Sequence, residues 1–402
     1  MITTPSYRQI LGTPEVRALL LATLLMRLAG RMFLLAIVLY ALTRTGSPVL
    51  AGWLAFAAVA PGLVISPIAG ALIDSVGSVW AITVDMVASA TCVVALIAVD
   101  RLGWATAPVV LSLVGLFSLT SPLTMAGIRA LLPRLVPVAA LDRANALDTA
   151  IHGITDIGGP ALAGAIIAFG GPTAALGLIA VTYAVAAFCL GTIRRPRGQL
   201  PRLGPLFVAA WSGIVRVVRQ PTLRGLAVAY SLYEVSWGIL VVTVPVFAAR
   251  QFAGGTGSAV AGLLWAGLGL VGGIAALIAG HRRTAGRERK VMALGMLATA
   301  VAAWPIAGEF GLAGLALGLM VVGGAAGPID VSVLTLRQRR TDPSELGRVL
   351  SVSMSLNMAG GPVGSALAGV LVTWSLPATF AVAALASILA ASAVGLIPMG
   401  DD

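Results

Sequence analysis

The sequence predicts an all-α membrane protein, with twelve transmembrane helices arranged as two pseudo-symmetric six-helix bundles. Three observations lead there. Of 402 residues, 58% are hydrophobic and only 10% charged. A soluble domain carries about 25% charged residues, so this chain cannot cover a water-facing surface. Apolar runs near the roughly 20 residues that cross a bilayer core recur twelve times. Finally, one shift of 205 positions superposes separated pieces of the two halves.

Taken in order, the runs fall at 17–41, 49–73, 79–99, 106–128, 150–169, 173–192, 223–248, 258–280, 291–308, 312–334, 349–373 and 376–398. Residues 1–16 hold no cleavable signal pattern. The first run is a full span without a small-residue cleavage site, so it reads as a retained helix. The 48 Gly and 22 Pro sit largely inside these runs, where membrane helices tolerate them. Cys92 and Cys189 lie within apolar runs as small hydrophobes, with no disulfide framework and no C-x-x-C metal pattern.

An even number of spans puts both termini on one side, and basic residues choose that side. Twenty-one Arg and Lys fall in segments on the side of the termini, against Arg44, Arg101 and Arg250 on the other. Both termini are therefore expected in the cytoplasm. The net charge of +11 is a topology signal, and nucleic acid is dropped as a partner. The Ala-, Gly- and Arg-rich composition, with a single lysine, points to a high-GC bacterial genome and so to a bacterial inner membrane.

The shift of 205 aligns Gly70-Ala-Leu-Ile-Asp74 with Ala275-Ala-Leu-Ile-Ala279 and Leu141-Asp-Arg143 with Leu346-Gly-Arg348. It also places Gly159 on Gly364 and Leu162-Ala-Gly164 on Leu367-Ala-Gly369. Internal similarity of this kind marks duplicated halves. The expected organisation is a bundle over 1–192, a cytoplasmic linker over 193–222 and a second bundle over 223–402. In the linker Leu206, Trp211, Ile214, Val215 and Val218 alternate with Arg216 and Arg219. That pattern reads either as a short amphipathic helix on the membrane surface or as a tether.

Several stretches together resemble the major facilitator superfamily, and within it the twelve-span drug:proton antiporter-like exporters. They are Ala36-Ile-Val-Leu-Tyr-Ala-Leu-Thr43 with Thr45-Gly-Ser-Pro48, then Pro67-Ile-Ala-Gly-Ala-Leu-Ile-Asp74-Ser-Val-Gly77. Arg134-Leu-Val-Pro137 through Leu141-Asp-Arg-Ala-Asn145, Gly159-Pro160 and Gly164 follow, with Gly347-Arg348-Val349 and Gly361-Pro362 as second-half counterparts. The resemblance covers essentially the whole chain. It implies that Gly70, Asp74 and Gly77 form the inner loop that holds the two halves together. Ser75, Ser78 and Val79 stand where the family has basic residues, so the basic latch is missing. Asp74 is left to face a helix N-terminus of the other half or Arg129. Gly159, Pro160 and Gly164, like Gly361 and Pro362, read as a hinge between rocking halves or as ordinary close packing.

Charge at membrane depth costs several kcal/mol, so each ionisable residue there suggests function. Arg27 and Arg31 lie four apart on one face of span 1, to bind an anionic group or to pair with a neighbouring acid. Glu234 is the deepest carboxylate of the second half, and subtracting 205 places it between those arginines. A carboxylate balanced between burial and a nearby arginine can take up and release a proton. Tyr230, Tyr233 and Trp237 beside it supply aromatic walls for a lipophilic substrate or simply pack. Asp330, after Gly327-Pro328, either faces the cavity or pairs with Arg337. Asp85 reads as structural, Asp100, Arg101 and Glu309 as solvated ends, and His281 as part of a basic loop.

The segment Asp148-Thr-Ala-Ile-His152-Gly-Ile-Thr-Asp156 stacks three ionisable residues four apart. With a helix starting near 150, Asp148 is expected to cap it or to sit at the membrane interface. His152 is either a packing residue or a relay, and Asp156 a partner for Arg27 or Arg31 or a proton carrier. A metal site is not expected, because three ligands lack second-shell support.

The function expected from these residues and the resemblance is secondary transport. The leading form is proton-coupled export of a small lipophilic molecule or drug by alternating access. The alternative is an uptake or uniport carrier for a small metabolite, including an anionic one drawn to the arginines. No soluble catalytic domain or phosphate-binding loop supports an enzyme. Beyond the substrate, protons and the bilayer, no partner is expected. The chain is expected to work as a monomer without a cofactor, on the proton gradient.

Overall fold

The computed structural model describes residues 6–137, 140–193, 215, 217–253, 255–281, 286–303, 310–341 and 346–399. At 67, 70, 71, 74, 75, 129, 142, 280, 338 and 346–351 the description is of the backbone. The regular structure among them is helical, as apolar chain in lipid requires, because only helices and closed barrels satisfy every backbone group internally.

A short α1 (Tyr7–Gly12) opens the chain, held by a capping box in which Ser6 and Gln9 exchange side-chain and backbone hydrogen bonds. The first half continues with α2 (Pro14–Thr45), α3 (Pro48–Ala57), α4 (Ala60–Val76), α5 (Ser78–Arg101), α6 (Ala107–Leu135) and α7 (Leu141–Gly191). The second comprises α8 (Pro221–Gln251), α9 (Thr256–His281), α10 (Glu288–Ala303), α11 (Gly311–Arg339), α12 (Leu346–Met358), α13 (Gly360–Trp374) and α14 (Leu376–Ala393). Among the described residues ten stretches are long and apolar enough to cross a membrane. One of them, α7, holds two expected spans, because Gly171 takes a left-handed φ of 75° before Pro172 and turns the chain. The short α10 supplies the ninth expected span, whose remainder at 304–308 lies outside the described residues.

Two expected spans are each split into a pair of helices, and proline explains both breaks. A proline ring collides with the carbonyl four residues earlier. Four residues before Pro61 is Ala57, where α3 stops; four before Pro362 is Met358, where α12 stops. The turn from α4 to α5 passes through Gly77 at φ 88°, a conformation that disfavours any side chain. The linker residues Leu206, Trp211 and Ile214 lie outside the described residues. Val217, just before α8, is buried against Leu223 and Val352.

Within the first half α2 packs on α7, and α5 on α6 and α7; within the second α8 packs on α13 and α14, and α9 and α10 on α11. The halves meet along α7 with α9, α3 with α13, and α4 with α12. Since spans alternate in direction, α2, α7, α8 and α12 all begin at the end that carries the arginine-rich segments. We call this the basic end and the other the far end.

At the far end the halves touch backbone to backbone. A Cβ on Gly52 would lie 2.8 Å from the Cα of Gly369, and one on Gly164 would lie 2.8 Å from the Cα of Gly262. The shift of 205 carries Gly164 onto Gly369 but Gly52 onto Gly257 rather than Gly262, so the two contacts correspond by helix pair and not residue for residue. Toward the basic end the cross-half contact is polar, with Ser355 donating to Ser66 at 2.8 Å.

Candidate functional site

The ionisable residues at membrane depth gather where α2, α7, α8 and α11 approach one another. Arg31 lies just past the middle of α2, and its Nε is 2.6 Å from the Asp156 carboxylate on α7. The pair is partly open to the interior space, with side-chain exposures of 44% and 36%. Gly159 allows the approach, since a Cβ there would collide with the Cβ of Arg31. Pro160 follows within the same helix, where it removes the amide that would bond the Asp156 carbonyl. The neighbouring Gly164 serves the contact between halves, so the two glycines of the motif have separate tasks.

Nearer the basic end Arg27 grips Asp148 twice, through the carboxylate at 2.9 Å and the backbone carbonyl at 2.9 Å. The structure corrects the expected capping role here. The helix begins at Leu141, not near 150, so Asp148 is two turns inside it and serves as a counter-ion. His152, between the two aspartates, comes within 3.8 Å of Asp156. Both aspartates are thus engaged by arginines, which leaves no converging ligand set for a metal on this segment.

Across the interior, α8 presents Glu234. It makes no hydrogen bond or ion pair among the described residues, and Arg31 and Asp330 are the charges within its electrostatic reach. Its carboxylate lies over Gly361 on α13, 3.3 Å from where a Cβ would be. Subtracting 205 from 361 gives 156. The first half therefore has an aspartate paired with arginine where the second half has a bare glycine under a bare carboxylate. Asp330 accepts a hydrogen bond of 2.6 Å from Tyr230 rather than pairing with Arg337.

The aromatic residues divide. Tyr230 and Trp237 are partly exposed, and Trp237 lies 6.0 Å from Trp265 of α9. Tyr233 is fully buried and meets Thr299 of α10 at 3.3 Å, so it belongs to the core of the second half and not to a cavity wall. Another correction concerns Asp100: far from being a solvated end, it is 8% exposed and bound by Arg44 at 2.6 Å and Tyr40 at 2.9 Å. Glu309 and the side chains of Asp74 and Arg129 lie outside the described residues, as does any contact at Gly70.

The arrangement is that of a multi-pass carrier: two halves pressed together at one end, with ionisable groups of both facing a shared interior. The chain belongs to the Major Facilitator Superfamily, whose family model matches residues 19–284 and 226–399. It is 54% identical to an uncharacterised MFS-type transporter, y4rN, of Sinorhizobium fredii, over 98% of this chain and 97% of that one. It is 29% identical to the multidrug efflux pump Tap of Mycolicibacterium fortuitum, over 87% of each chain. Among solved structures, the nucleoside transporter NupG matches with a TM-score of 0.73 at 13% identity, over 95% of this chain and 98% of that one. The human organic anion transporter MFSD10 matches with a TM-score of 0.66 at 18% identity, over 95% of this chain and 99% of that one. At such identities these two show the fold alone.

Proposed function

We propose that this protein exports a small lipophilic molecule in exchange for protons, by alternating access of the interior space to the two sides of a bacterial inner membrane. Both termini face the cytoplasm in this reading, the chain works as a monomer without a cofactor, and the proton gradient supplies the energy. The observation that carries it is Glu234, a carboxylate at mid-membrane with no partner among the described residues, facing the Arg31–Asp156 pair. An uncompensated carboxylate there costs about 2.5–3.5 kcal/mol, a cost removed when it takes a proton or meets a cationic substrate. Competition between those two occupants is what couples their opposite movements. The 29% likeness to a multidrug efflux pump agrees with this direction. Uptake of an anion is less favoured, because the guanidinium groups of Arg27 and Arg31 are engaged by Asp148 and Asp156.

The test uses inverted vesicles carrying the full chain, with ethidium, a lipophilic cation, as the probe. An imposed proton gradient should drive probe accumulation, and probe addition should release protons. Glu234→Gln should abolish both. Gradient-coupled accumulation at the wild-type rate in Glu234→Gln removes this residue from the mechanism.

A further inference from the structure

Away from the interior site, Asp85 is a further carboxylate within a membrane helix, enclosed inside the first half and 3% exposed. It makes no ion pair among the described residues. Around it stand hydroxyls from two helices. Ser89, one turn further along α5, donates to the carboxylate at 3.4 Å, and Thr120 and Thr124 of α6 also face it. Ser89 is 2% exposed and Thr124 4%, and the Thr124 hydroxyl has no hydrogen-bond partner of its own. A neutral acid would need one acceptor for its proton, and it is given three hydroxyls. An ionised acid would need a positive charge, and no described side chain supplies one.

We propose that Asp85, Ser89, Thr120 and Thr124 form a binding site for a small monovalent metal cation, of which sodium is the representative. Hard cations take oxygen ligands, and the shell here is oxygen throughout. One carboxylate balances one charge, whereas a divalent ion would leave a net charge buried without compensation. Ser89 donates to the carboxylate, Thr120 to the Phe117 carbonyl at 3.5 Å, and Thr124 to no partner, and the lone pairs of all three hydroxyls remain for an ion. Tyr183 of α7 lies within electrostatic reach of Asp85 and sets its hydroxyl against Gly30, the residue before Arg31. Tyr183 thus stands between the proposed site and the helix turn that carries Arg31. The proposal is independent of the export reading, because it concerns binding by the resting protein without any substrate.

The experiment is thermal unfolding of the purified full-length protein in detergent, with choline chloride replaced by sodium chloride at constant ionic strength. Sodium should raise Tm saturably. The rise should be lost in Asp85→Asn and weakened at least severalfold in Thr124→Val, while Glu234→Gln keeps it. Two results overturn the proposal: no difference between sodium and choline in the wild type, or an equal sodium shift in Asp85→Asn. A wild type indifferent to sodium beside an Asp85→Asn as stable as itself identifies the group as a neutral, structural acid. If Asp85→Asn fails to fold, Thr124→Val decides: a sodium shift undiminished there also overturns it.

Discussion

Arg31 and Asp156 are each costly alone and tolerable together, which makes their coupling measurable. A double-mutant cycle with Arg31→Gln and Asp156→Asn should give an interaction of roughly 0.5–3 kcal/mol, read from thermal unfolding in detergent. Both groups are partly open to the interior, so solvent screening favours the lower part of that range. Additive effects of the two substitutions would show that the 2.6 Å contact contributes nothing. Much of this pairing was legible in the sequence. Arginines four apart and aspartates eight apart, all at membrane depth, anticipate each other because lipid allows few other partners. What misled was the start of the fifth span. An apolar window opens near 150, but the helix continues back through Asp142, Arg143 and Asn145 to Leu141, since polar residues do not end a helix. Asp148 then changes from cap to counter-ion. Asp85 was harder, because Ser and Thr are common in membrane helices and only the fold reveals which hydroxyls converge.

At the scale of the element, the two proline breaks fall on helices that face each other across the halves. They separate the tight far-end contacts of α3 and α13 from the Ser66–Ser355 contact of α4 and α12. The segments on either side of each break can therefore tilt separately. Pro362→Ala would restore a helical hydrogen bond and join α12 to α13. The variant should fold at wild-type yield but transport more slowly, measured as initial rates in inverted vesicles; unchanged rates would dismiss the break as a hinge. The sequence contained the sign, since each break lies four residues before a proline. It gave no means of choosing these two, because Pro160, Pro245 and Pro328 sit in helices that continue through them. The difference lies in the neighbours that hold those helices together, which are tertiary. Gly164 makes the complementary case. A valine there must push Ser258 away, its Cβ being 2.5 Å from the carbonyl oxygen. Overpacking of that kind costs about 1–3 kcal/mol, enough to shift the balance of far-end closure roughly tenfold. In a Cys92→Ala, Cys189→Ala background, Gly164→Val should increase labelling of a cysteine introduced at Trp237 by an impermeant thiol reagent added on the far side; unchanged labelling would show that closure does not depend on this fit.

The whole molecule was the most legible level. Hydropathy anticipates the all-helical fold and its number of spans, while the internal shift proposes two halves and the distribution of arginine an orientation. The orientation has its own test: alkaline phosphatase fused to the C-terminus should be inactive and a fluorescent protein at the same place bright. Active phosphatase would reverse the assignment of sides. Which half-to-half contacts close the molecule was not readable, because glycine in a membrane helix serves packing within a bundle as readily as between bundles. The far-end closure these contacts form is made of glycine and main chain, with no titratable or charged group at Gly52, Gly164, Gly262 or Gly369. A seal of that composition answers to shape alone. Acid or salt finds no charged side chain at these four glycines on which to act, so parting them is a matter of changing how the helices fit.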